Sequence, residues 1–312
     1  MKVFVTGASG YIGQALCHEL DKTNDVLGVG RSKLEKASFN YKCSDLQSDD
    51  LATLLAGRDC VVHLAGKAHV TDRGEVNAIE SFRRANKDIA LRVAEAAIDA
   101  GVRRFVFISS IGVNGTSTAD QPFSELSLPQ PSAAYAITKY EAELSLRKLI
   151  SSSNMDLIII RPPLVYAHNA PGNFSRLLRL VSLGIPLPLG AIENSRSMIA
   201  LDNLIDFIKV CMVHKSAANE LFLVSDCCEV STPKIVSCLA QGMQKRIFML
   251  RVPNPIMWGV MSVVGRQAMY KQLCGSLVID SSKAQHLLGW NPPHDAIECL
   301  IEAGNRFMGS NS

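Results

Sequence analysis

The chain has 312 residues, 47% of them hydrophobic and 20% charged, with a net charge of +3. That composition excludes a disordered chain, and the length admits a nucleotide-binding-sized domain plus a smaller lobe. Three surplus cations, taken as spread along the chain, are too few to mark a nucleic-acid surface.

Val3-Phe4-Val5 is a short β-prone run that ends at Thr6-Gly7, too brief for a signal peptide. Ile12, Leu16 and Leu20 then recur at helical spacing. Strands are expected at 26–29, near 39–43 and at 60–64, with a short helix at Leu51, Leu54 and Leu55 between the last two. A long alanine-rich helix over 85–100 stops at Gly101. A strand at 105–108, a helix at 134–150 and a strand at 157–160 complete the alternation. Short apolar strands separated by helical crossovers mean a parallel sheet with helices on both faces.

After Arg161-Pro162-Pro163, prolines and glycines predict irregular structure around one helix near 174–183. Helices near 203–213 and 233–242 and a strand at 221–224 follow. The expected fold class is α/β: a Rossmann-like doubly wound sheet in residues 1–162 and a smaller α/β substrate lobe in 163–312. Segments near 191–224 are expected to return to the first domain. The apolar stretch 255–265 is expected to pack between lobes, with membrane or partner docking the competing reading. No run approaches the roughly 18 apolar residues of a membrane span, so a cytoplasmic protein is expected.

Nine cysteines, an odd and scattered set without a Cys-x-x-Cys, are expected as buried free thiols, and no metal site is expected.

Gly7-Ala8-Ser9-Gly10-Tyr11-Ile12-Gly13 falls where the first strand turns into the first helix. Gly7 permits the tight turn, Gly10 lets the backbone approach a pyrophosphate, and Gly13 lets helix and strand pack closely. Amides and dipole at that helix start face anionic phosphates. The pattern predicts a dinucleotide cofactor. At the end of the second strand an acidic residue would favour NAD; here Gly30-Arg31-Ser32 stands there, which favours NADP and leaves NAD open. Asp45-Leu46 and Leu64-Ala65-Gly66 follow the third and fourth strands, where adenine and cofactor backbone would lie.

Tyr135 and Lys139 are four apart on one helix face. An ammonium beside a phenol lowers its pKa, so Tyr135 is expected to exchange a proton near neutral pH. Ser109-Ser110 ends the fifth strand, at the edge of the crevice where such sheets bind ligands, and Ser110 can hold the reacting oxygen.

With these motifs the chain resembles the extended short-chain dehydrogenase/reductase family, in its nucleotide-sugar branch similar to UDP-galactose 4-epimerase. The resemblance also takes in Asn86, Ser110-Ile111-Gly112-Val113-Asn114-Gly115, Arg161 to Tyr166 and Leu288-Gly289-Trp290. It implies that Ser110, Tyr135 and Lys139 are catalytic, and that Asn86, Ser109 and Pro162 lie along the cofactor. It implies that Asn173, Phe174 and Arg196 hold a UDP-sugar, with Arg266 or Lys271 as a second phosphate ligand, and that the protein forms a homodimer through helices 85–100 and 134–150.

Ile111-Gly112 replaces the acidic pair of the family's 4,6-dehydratases, which argues against dehydration. Asn114, where epimerases commonly carry Tyr, is more like the 4-reductases of UDP-4-keto-6-deoxy-N-acetylhexosamines used for surface polysaccharide such as O-antigen. The expected reaction is therefore 4-keto reduction. UDP-glucose or UDP-GlcNAc 4-epimerisation with tightly bound NAD is the alternative, and a non-catalytic NADP sensor is a third class.

Overall fold

The computed structural model describes residues 1–68, 78–263, 265, 270 and 273–309. Arg266 and Lys271 lie outside the described residues. The elements in chain order are β1 (Lys2–Thr6), α1 (Tyr11–Leu20), β2 (Asp25–Gly30), β3 (Tyr41–Cys43), α2 (Leu51–Leu55), β4 (Cys60–His63) and α3 (Ala78–Arg83). A π-helical turn (Arg84–Asp88) joins α3 to α4 (Ile89–Asp99), followed by β5 (Arg104–Ile108), α5 (Ala134–Ile150) and β6 (Asp156–Arg161). The second half holds β7 (Leu164–Tyr166), α6 (Asn173–Ser182), β8 (Arg196–Ala200), α7 (Leu201–Val213), β9 (Leu221–Leu223) and β10 (Glu229–Val230). Among the described residues there follow α8 (Thr232–Gly242), α9 (Asn254–Val263), α10 (Ser282–Leu288) and α11 (Ala296–Gly309).

Seven parallel strands form one sheet in the order β3-β2-β1-β4-β5-β6-β9. The central strands β4 and β5 are buried almost throughout, because helices cover both faces. On one face Leu16 and Leu20 of α1 and Leu204, Phe207 and Ile208 of α7 pack on Val3, Val5 and Val62. On the other, Val93 and Ala97 of α4 and Ala142 and Leu146 of α5 pack on Phe4, Val61, Phe105 and Phe107. The strand order reverses between β1 and β4, so the crevice opens at their carboxyl ends. This is a Rossmann-like doubly wound fold.

The region after Pro163, expected to be irregular, contains a three-stranded sheet, β10-β8-β7. Its strands are two to five residues long, too short to show a clear period in the sequence. Leu288-Gly289-Trp290 clips the chain back onto the first domain. Gly289 ends α10 in the left-handed conformation (φ 65°), and Trp290 packs edge-on to Phe207 and donates to Asp206 at 2.9 Å.

Four of the nine thiols are buried as expected (Cys17, Cys60, Cys211 and Cys238), but Cys43 and Cys227 are exposed; all nine are free. Cys43 sits on the edge strand β3 and Cys227 in the loop before β10, where no layer covers them.

In the smaller lobe α8 and α11 cross backbone to backbone: a Cβ on Gly242 would overlap the Ile301 carbonyl, and one on Gly304 the Leu239 carbonyl. Gly304→Ala should therefore lower stability by about 1–3 kcal/mol in urea unfolding. Gly259→Ala, a helical position with open space around the added methyl, should leave it unchanged or slightly raised.

Candidate active site

The glycine turn is built as a cradle. Gly7 has φ 70°, and a Cβ there would come within 2.7 Å of the Ala65 nitrogen. A Cβ on Gly13 would overlap the Gly7 carbonyl. Gly10 caps α1 without a side chain, so no hydroxyl or carboxylate competes for the first amides of the helix, at Tyr11 and Ile12. Across the crevice, Thr6 donates to or accepts from His63 at 3.0 Å and accepts from the Ala65 amide, fixing Leu64-Ala65-Gly66 against the turn. Burial, aided by the charge of Lys139, pushes His63 down to about 3, so it stays neutral and takes no part in proton traffic near pH 7.

Asn86 is buried in the π-helical turn. It accepts from the Lys67 amide at 2.7 Å, donates to the Lys67 carbonyl and donates to Thr138 at 3.0 Å. It thereby ties the loop after β4 to α5, the helix that carries Tyr135 and Lys139.

The Ser110 hydroxyl neighbours the Tyr135 phenol and acts to lower its pKa, and Ser110 accepts from the Gly112 amide at 3.1 Å, which fixes its hydroxyl. The Lys139 ammonium is buried, donates to the Ile108 carbonyl at 2.9 Å and lies 4.6 Å from the centre of the Phe107 ring. It also sits beside Gly66, where a Cβ would come within 3.4 Å of Nζ. The structure brings together Ser110, Tyr135, Lys139, Asn86 and Gly66, drawn from β4, β5, α5 and the π turn.

One electrostatic expectation is corrected. Tyr135 is not lowered; burial pushes its phenol up to about 12, against the smaller effect of the Ser110 hydroxyl. Lys139 has its own ammonium drawn to the Ile108 carbonyl and pushed down to about 8 by burial, which the Glu143 carboxylate opposes.

Other expected residues separate by role. Ser109 is buried and donates to Glu143. Pro162 is buried, and its carbonyl accepts from Ile111 at 3.0 Å, setting the loop that bears Ser110. Asp45 is exposed and its carboxylate accepts from the Gln47 amide, whereas Leu46 belongs to the core. Arg31 and Ser32 are exposed. Gly30 has a packing explanation: a Cβ there would meet the Ser9 hydroxyl at 2.5 Å and the Tyr41 hydroxyl at 2.9 Å. Its smallness is not by itself room for a 2′-phosphate.

In the second lobe Asn173 opens α6 on the surface, but Phe174 is buried against Tyr166 (ring centres 5.6 Å apart). The Phe174 side chain is core, so only its backbone can face a ligand. Arg196 starts β8 and donates to the Gly275 carbonyl at 2.9 Å; burial lowers its pKa.

Sequence reading missed a buried network under the site. Arg161 grips Glu143 through two bonds, of 2.9 and 2.5 Å, and donates to Asn114 at 2.9 Å. Lys139 and Glu143 are four apart, the spacing of an ordinary solvated helix pair, which hid that both are buried.

Residues 3–224 match the model of the NAD dependent epimerase/dehydratase family. The chain belongs to this family. Its resemblance to extended short-chain dehydrogenase/reductases is thereby established, and it is an enzyme of that class. It is 36% identical over 316 residues to a UDP-glucose 4-epimerase of Vibrio cholerae, covering 99% of this chain and 96% of that protein. It is 24% identical to an N-acetyl-α-D-glucosaminyl-diphospho-ditrans,octacis-undecaprenol 4-epimerase of Escherichia coli, covering 94% and 91%. Among solved structures it is similar to MoeE5 in complex with UDP-glucose and NAD (TM-score 0.80, 24% identity, all of both chains covered).

The family's NAD-type cofactor fits the residues present: Gly10 caps α1 with no side chain, which leaves the first amides of the helix open to a phosphate, and a Cβ there would also crowd the Gly7 carbonyl at 3.1 Å. Among the described residues no cluster suited to a metal ion occurs.

Lys139 gives a measurable signature. Its folded pKa, about 8, lies below the roughly 10.4 of an unfolded lysine. Between those values the unfolded chain binds the extra proton, so this residue makes stability rise with pH there. Urea midpoints of wild type minus Lys139→Met should accordingly increase from pH 8 to pH 10; a flat difference would contradict a buried, depressed lysine.

Proposed function

We propose that the enzyme transfers hydride at C4 of a UDP-linked hexose or N-acetylhexosamine. The observation that carries this is the meeting of Ser110 and Tyr135 at the carboxyl ends of the strands, with Lys139 buried behind them and bonded to the Ile108 carbonyl. Both curated relatives named above are 4-epimerases, which supports the C4 position, and the MoeE5 complex supports a UDP-sugar and a nicotinamide cofactor in this fold.

A nicotinamide dinucleotide supplies the hydride acceptor or donor when bound, held by Gly7, Gly10, Tyr11, Ile12 and Gly13 at its phosphates and by Lys139 at its ribose. Ser110, its hydroxyl fixed by Gly112, hydrogen-bonds the C4 oxygen. Tyr135 passes its proton to that oxygen as negative charge develops there. Lys139, positively charged below about pH 8, stabilises the phenolate that remains. Asn173 and Arg196 are assigned to the diphosphate of the sugar nucleotide, and residues 163–312 to the substrate lobe.

Two full reactions use this step. Reduction of a 4-keto sugar by NADPH is favoured by the protonated state of Tyr135 and by Arg31 on the rim. Epimerisation with retained NAD is favoured by the relatives, and the packing role of Gly30 removes one argument for NADP. Homodimerisation across α4 and α5 belongs to the same reading, with Leu144 of α5 half exposed.

Purified protein incubated with UDP-glucose or UDP-GlcNAc and no added cofactor separates the two. Formation of the C4 epimer identifies the epimerase; turnover only of a 4-keto sugar nucleotide with NADPH identifies the reductase. Tyr135→Phe should slow either about 10²–10⁴-fold. Undiminished turnover by that variant would overturn the C4 mechanism.

A further inference from the structure

The net charge is not evenly spread. Residues 157–192 and 230–279 contain nine Lys and Arg and not one Asp or Glu, so the rest of a +3 chain is net acidic. One of the nine, Arg161, is consumed inside the core by Glu143. The two acid-free stretches meet in the smaller lobe. Leu187 donates to the Phe248 carbonyl at 2.9 Å and accepts from Leu250 at 2.8 Å, and Gly190 donates to the Leu250 carbonyl. A Cβ on Gly184 would lie 3.8 Å from the Lys245 side chain.

Apolar side chains crowd the same place. Ile247 and Met249 pack into the lobe core, so the alternating residues Phe248 and Leu250 point outward, 74% and 46% exposed. Met257 anchors α9 to the core and leaves Ile256 and Trp258 outside, both more than half exposed. Leu183 and Ile185 extend the patch from the end of α6. Exposed cations flank it: Arg176 and Arg179 on α6, and Lys245, Arg246 and Arg251 around the outward residues.

An exposed apolar patch of this kind marks an interaction surface. Its chemistry selects the occupant. Large aliphatic and aromatic tips, a Trp, and exposed cations drawn from segments without Asp or Glu complement an anionic lipid headgroup layer over hydrocarbon. We propose that this face of the smaller lobe, formed by the end of α6, residues 245–251 and the start of α9, docks on an anionic phospholipid bilayer. Docking is peripheral, since no helix among the described residues is long and apolar enough to cross a membrane. It does not depend on the C4 chemistry proposed above, and its test needs no turnover.

The test is co-sedimentation of the full chain with vesicles of pure phosphatidylcholine and of phosphatidylcholine mixed with phosphatidylglycerol. Binding is expected only to the anionic vesicles and should weaken with salt. Phe248→Ser with Trp258→Ser, and separately Lys245→Glu with Arg246→Glu, should each weaken it about tenfold or more. The chain has two tryptophans and Trp290 is buried, so a vesicle-induced blue shift in emission should vanish in Trp258→Phe. Absence of binding to anionic vesicles at low salt, or binding unchanged in both double variants, would overturn the proposal. So would a concentration-dependent oligomer that Phe248→Ser dissolves, which would assign the patch to a second copy of the chain.

Discussion

The ion pair between Arg161 and Glu143 ties together the elements that meet at the candidate site. It lies wholly inside the protein, with both side chains at most 5% exposed. Burying two charges is costly, and the cost is offset only when every donor and acceptor is used. Here Arg161 also holds Asn114, and Glu143 also accepts from Ser109. Those bonds join β6, α5 and the segment after β5, which carry or border Tyr135, Lys139 and Ser110. Removing either partner would strand a buried charge, so the geometry is fixed more tightly than apolar packing alone could fix it. The carboxylate also favours the charged form of Lys139, linking the same pair to proton transfer.

The sheet supplies the second constraint. Because the strand order reverses between β1 and β4, two loops diverge and leave a crevice. The glycine turn lines one wall and Leu64-Ala65-Gly66 the other. A Cβ on Gly7 would collide with the backbone of Leu64 and Ala65 opposite it. Asn86 then couples the second wall to α5 through Lys67 and Thr138, so cofactor cradle and catalytic helix form one hydrogen-bonded unit. Burial makes that unit electrostatically demanding. It raises Tyr135, lowers Lys139 and silences His63, and it leaves the tyrosine in the protonated form that a reductive step requires.

The smaller lobe follows different rules. Its helices α8 and α11 touch at glycines, its strands are short, and its surface concentrates cations and exposed apolar side chains.

Much of this was legible in the residues. The apolar runs and helical spacings give the doubly wound sheet because burial on both faces demands continuous hydrophobic strands. Gly7, Gly10 and Gly13 reveal the cradle because no other residue allows that approach. Tyr135 and Lys139 could be read as sharing one helix face because helical geometry places residues four apart together. Burial and three-dimensional neighbours decided the rest. Only the fold shows that Glu143 is an internal counter-charge, that Phe174 is core and that β7 and β8 form a sheet. Gly30 has its size set by Ser9 and Tyr41, which lie distant in sequence. The small overall charge of +3 concealed a strongly basic face for the same reason: composition averages over the surface, while folding gathers the acid-free segments at one place.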